Sequence, residues 1–134
     1  MNFASNLSGV AIRYKLMALD VSSTAYLIEN NVATITNNGT AKVFPVLTAN
    51  FSGSATYFKV MKGTRQVYIA KSFSVGDVLI IDNAKALVTA NILRVMDTVD
   101  LTSTFFSLDP GGTVITFAPN ANATVRVDFK EKWL

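Results

Sequence analysis

Chemistry on this chain would have to come from its carboxylates. The sequence contains no histidine and no cysteine, which removes the usual general base, thiolate nucleophiles and zinc–thiolate sites. Asp97, Asp100 and Asp109 lie close together in sequence, and Asp77 and Asp82 bracket an apolar run. Two carboxyls held across a cleft could cleave a glycosidic bond, and three converging ones could bind calcium. Neither requirement is met by the spacing, which lacks the dense alternation of oxygen ligands found in a calcium loop. Aspartate is also a common turn former, and that use is expected here. No Gly-x-Ser-x-Gly elbow is present. Lys71-Ser72 are sequence neighbours, which on a strand point to opposite faces. Gly111-Gly112 precede no helix start and so do not form a phosphate loop. The chain therefore reads as non-enzymatic, with no metal and no cofactor. The aromatic residues Tyr57, Tyr68 and Trp133 are the candidates for stacking on a sugar ring. If they serve that purpose, at least one should stand exposed in a concave groove beside polar side chains, whereas a structural domain should bury all of them.

The elements that would position these residues follow from turn chemistry and alternation. Short β-prone runs occur at 24–29, 32–36, 41–51, 55–62, 65–73, 77–82, 85–90, 92–96, 113–117 and 124–130. The breaks between them carry turn formers, among them Asn37-Asn38-Gly39, Lys62-Gly63, Val75-Gly76-Asp77, Asp82-Asn83 and Asp109-Pro110-Gly111-Gly112. Many short strands at this spacing predict an all-β sandwich or barrel. In the last run Val125, Val127 and Phe129 alternate with Arg126, Asp128 and Lys130, the pattern of one face on a core and one in water. The run at 77–82 is apolar on both faces and reads as central. Pro45 lies inside the run at 41–51, which predicts an edge strand or a bulge there. Before the strands, GVAIRYKLMALD (9–20) has the spacing of a short helix with Ser8 as its cap. The predicted organisation is an N-terminal helical extension over 1–22 and a β-sandwich domain over 23–134.

Composition limits the partners. Of the 134 residues, half are hydrophobic and 16% are charged, which argues against disorder. The net charge of +3 is scattered, and its densest part is Lys59, Lys62, Arg65 and Lys71. A nucleic-acid binder concentrates its charge in a stripe, so no nucleic acid is expected. No apolar run approaches a membrane span, and MNFASNLSGVAIRYKLMALD does not read as a secretory signal. The sequons at Asn6, Asn38, Asn50 and Asn122 reflect a composition rich in turn formers. Unblunted strand edges also predict a dimer.

Four segments, in order, carry a family resemblance: NNGTAKVFPVLTANFSG, VGDVLIIDNAKALV, STFFSLDPGGTVITF and VRVDFKEKWL. Together they resemble the C-terminal domain of the distal tail proteins of long, non-contractile-tailed bacteriophages. The resemblance implies a galectin-like (jelly-roll type) sandwich in which Phe105, Phe106 and Leu108 face the core. It implies a structural or adaptor role at the tail tip or baseplate, holding other tail proteins or receptor-binding proteins and, in some members, host glycans. The ring-forming domain of the family is not expected in this chain. Residues 4–20 are similar to a segment of phage portal proteins, which would make the extension a fused fragment. Its location would then be the virion tail, or the bacterial cytoplasm for a prophage remnant.

Overall fold

A computed structural model describes residues 20–28, 31–119 and 122–133. Among the described residues ten strands form: β1 (Asp20–Ile28), β2 (Val32–Asn37), β3 (Val46–Phe51), β4 (Phe58–Lys62), β5 (Arg65–Ile69), β6 (Val78–Asp82), β7 (Leu87–Ala90), β8 (Leu93–Arg94), β9 (Gly111–Ala118) and β10 (Ala123–Trp133). A 3-10 turn, Met96–Thr98, follows β8. The strands make two antiparallel sheets, one ordered β1-β10-β3-β6-β7-β8 and the other β2-β9-β4-β5. These pack as a sandwich.

Alternation explains which side chains fill the core. Along β10 the residues Val125, Val127 and Phe129 are buried, and Arg126 and Lys130 face water. Ile35, Phe58, Val60, Ile115 and Phe117 from the smaller sheet meet Leu47, Leu79, Ile81 and Val125 from the larger. Phe51 stacks on Phe73 at 4.3 Å between ring centres and meets Phe58 edge-on at 5.7 Å. Such ring pairs add about 1 kcal/mol beyond the area they bury. Phe106 and Leu108 are fully buried as expected, and Phe105 packs against the core with part of its surface exposed.

The predicted strands all appear, and three local expectations are corrected. Pro45 does not mark an edge or a bulge, because β3 lies between β10 and β6 and begins one residue after it. The missing N–H therefore falls outside the ladder, and the Pro45 carbonyl accepts from Asn83 instead. The run at 92–96 breaks at its first residue. Ile92 belongs to the two-residue turn between β7 and β8, and only Leu93–Arg94 pair with β7. At Asp109–Gly112 only Gly111 takes positive φ (+104°), and both glycines already belong to β9. The predicted helix over 9–20, like the portal-like segment, lies outside the described residues except for Asp20. That residue opens β1, so β1 takes in 20–22.

Candidate functional site

Three of the aspartates, Asp77, Asp82 and Asp100, serve turns. Asp82 Oδ1 accepts from the backbone N–H groups of Ala84 and Lys85, at 3.0 and 3.1 Å. Asp77 Oδ2 accepts from the Ser74 N–H at 2.8 Å, and its Oδ1 accepts from the Asn91 amide at 3.1 Å. Asp100 Oδ1 accepts from both the backbone N–H and the hydroxyl of Thr102. Asp97 and Asp109 are exposed, and among the described residues no group of three carboxylates converges as a metal site. Lys71 does not activate Ser72: its ammonium donates to the Ser72 carbonyl and lies 5.2 Å from the Phe73 ring centre.

This capping has a pH consequence. The Ser74 N–H, then the Asn91 amide, hold the Asp77 carboxyl below its usual range, and the Thr102 N–H and hydroxyl do the same for Asp100. With folded values below unfolded ones, protons bind the unfolded chain more tightly. The stabilisation is present above the unfolded value of about 4 and is lost as pH falls through the folded values. Thermal melts should therefore hold steady from neutrality to about pH 4 and decline below it. The Asp77→Asn, Asp100→Asn double variant should decline less steeply over that acid range.

The structure brings two of the three candidate stacking residues together. Tyr57, just before β4, and Tyr68, on β5, stack in parallel with ring centres 5.4 Å apart. Register explains this, because Tyr68 lies opposite Lys59 and the residue two positions earlier is its diagonal neighbour. Tyr57 lines a groove of about 490 Å³ together with Ser54, Thr56, Ser72, Phe73 and Asn122. An aromatic ring thus stands half-buried beside hydroxyls. The Asn122 amide is already engaged, donating to the Ser54 carbonyl at 2.8 Å. Trp133 is elsewhere, at the end of β10 in the larger sheet, paired with Asp20.

The loops at 74–77 and 91–93 form an apolar tip that sequence reading missed. Val75, Ile92 and Leu93 are 70%, 89% and 68% exposed. Their loops are tied together: Asn91 donates to the Val78 carbonyl and to Asp77, and its side-chain oxygen accepts from the Val78 N–H. Loop 74–77 is in turn fixed to Phe51 through two backbone hydrogen bonds. The turn uses left-handed backbone at Asn91 (φ +51°) and Ile92 (φ +66°). Asparagine tolerates that conformation, but a β-branched isoleucine is strained in it. A glycine there would have signalled the turn, whereas the isoleucine reads as strand.

Comparison with known proteins completes the description of this chain. Residues 38–133 match the family model of the siphovirus-type tail component, C-terminal domain. The crystal structure of the Dit protein (gp 19.1) of phage SPP1 superposes with a TM-score of 0.74 at 18% identity, over 89% of this chain and 50% of that one. That protein is described as a paradigm of the hub adsorption apparatus in phages infecting Gram-positive bacteria. This chain thus spans half the length of that protein. No curated protein matches the sequence significantly.

Proposed function

Because the chain belongs to the siphovirus-type tail component family, through its C-terminal domain, we propose that it is a non-enzymatic adaptor domain of a phage tail that docks another tail protein by its apolar tip. The exposure of Val75, Ile92 and Leu93 on loops that hydrogen bonds tie together carries this reading. Three large aliphatic side chains held in water by hydrogen-bonded loops bring no benefit to the isolated fold. One of them also sits in a conformation that costs about 1–2 kcal/mol for an L-residue. Strain of this kind concentrates at sites kept for contact with a partner. The domain's place would be the tail tip of the virion.

Ile92→Gly separates contact from folding. Glycine relieves the left-handed strain, so the variant should be more stable by about 1 kcal/mol in urea unfolding. It should also retain less of the partner in pull-downs from the tail proteins of the same phage. Unchanged retention by the stabilised variant would defeat the docking reading. A glycan array on the same samples tests a second reading, carbohydrate binding beside Tyr57, which its half-buried ring among Ser54, Thr56 and Ser72 favours. Binding lost in Tyr57→Ala but kept in Ile92→Gly would assign a sugar to that groove and leave the tip for protein.

A further inference from the structure

The sandwich has four edge strands, and three of them are protected. β5 is covered by the segment after the 3-10 turn: Thr104 donates to the Gln66 carbonyl, Asp100 to the Tyr68 carbonyl, and Ala70 to the Thr98 carbonyl, at 2.7–2.8 Å. The Tyr68 N–H is taken by the Ser103 hydroxyl at 2.9 Å. β8 is only two residues long and carries Arg94. β2 is capped by the Tyr26 hydroxyl, which lies 3.3 Å from the Thr36 carbonyl and 3.4 Å from its N–H.

Among the described residues β1 has no such protection. It runs for nine residues with no proline or glycine, and Asp20 is its single charge. β10 is the only strand it pairs with among the described residues, in unbroken register without a bulge. Leu27 is 61% exposed on it, beside a groove of about 220 Å³ lined by Ala25, Tyr26, Leu27 and Arg126. A long edge of this kind, with one charge and no bulge, is a template for another strand.

We infer that two copies of this chain associate through their β1 edges, in antiparallel register about a two-fold axis, joining their six-stranded sheets into one. The strand is complementary to itself. A register centred on Thr24 sets Asp20 of each copy against Ile28 of the other, so the only charge on the strand never meets its image. The same register opposes Ser23 with Ala25, both exposed and small. A two-fold contact needs only one surface that fits itself. The tip at loops 74–77 and 91–93 takes no part in this seam, so the inference stands apart from the docking reading.

Light scattering on the full chain should give twice the 14.5 kDa chain mass. In the inferred register the two copies of residue 25 are diagonal neighbours on one face. Ala25→Lys and Ala25→Glu should therefore each run at the single mass, and their equimolar mixture should return to the double mass. Hydrogen exchange on the unmodified chain should show protection of β1 amides that rises with concentration. A chain that stays single in mass overturns the inference, whether its own remaining residues or another tail protein's strand covers the edge. A double mass that persists in both charged variants, with β1 exchange independent of concentration, also overturns it.

Discussion

Replacing Asn83 with alanine is expected to cost about 3 kcal/mol of unfolding free energy, since it leaves the buried Phe106 N–H without a partner, which costs about 1–3 kcal/mol, and takes one of two donors from the Pro45 carbonyl, whose other donor is the residue 83 N–H. The Asn83 amide donates to the Pro45 carbonyl at 2.8 Å, and its oxygen accepts from the Phe106 N–H at 2.9 Å. Asn83 is itself buried. One side chain thus joins the β6–β7 loop, the approach to β3 and the segment that carries Phe106 into the core. Asn83→Asp refines the test. A carboxylate can still accept from Phe106 but cannot donate to Pro45, so the aspartate should bind its proton more tightly in the folded chain than in the unfolded one. Stability of this variant should be fullest below the unfolded value of about 4 and lost as pH rises through the higher folded value. Urea unfolding at acid and neutral pH measures both effects. Wild-type stability in Asn83→Ala would show that the amide is not the link between these three segments.

How much of this was legible depends on the range of the interactions. β10 could be read directly, because Val125, Val127 and Phe129 alternate with charged residues and no distant partner is needed to see it. The resemblance of the four ordered segments also led to the family. Sheet order was not legible. β10 lies between β1 and β3, and β2 pairs with β9 far along the chain, choices settled by how two whole faces fit. Pro45 misled because local rules place it in a strand, whereas its carbonyl is held by Asn83 from another hairpin. Asn83 and Asn37 looked like ordinary turn residues, since nothing local reveals that their side chains are buried. Ile92 was read as strand for the same reason that it is strained in its turn, its branching at Cβ. Of the candidate stacking residues, Tyr57 and Tyr68 share a hairpin and meet, while Trp133 is placed by a register that only the folded sheet defines.

Gly39→Ala is expected to be as damaging as the loss of Asn83, by a different mechanism. The turn at 37–41 is clasped to the end of β10. Asn38 donates to buried Glu131 at 2.6 Å, and the N–H groups of Thr40 and Ala41 both donate to the Lys132 carbonyl. Asn37, also buried, donates to the Ala41 and Leu108 carbonyls and accepts from the Gly39 N–H. These bonds draw Gly39 flush against the Lys132 backbone, where an added Cβ would stand 2.4 Å from the carbonyl oxygen and 2.7 Å from the nitrogen. Both obstacles are main chain, so neither can swing aside as a side-chain tip would. Relief requires the turn to lift from β10, which breaks the clasp, and the cost should reach about 3 kcal/mol. Gly63 supplies the control. It has left-handed backbone (φ +60°) at the first position of the β4–β5 turn, with open space where a Cβ would go. Gly63→Ala should therefore cost only the dihedral strain, about 1 kcal/mol. If denaturation ranked Gly63→Ala as the more damaging variant, the clasp between this turn and β10 would not be what fixes Gly39.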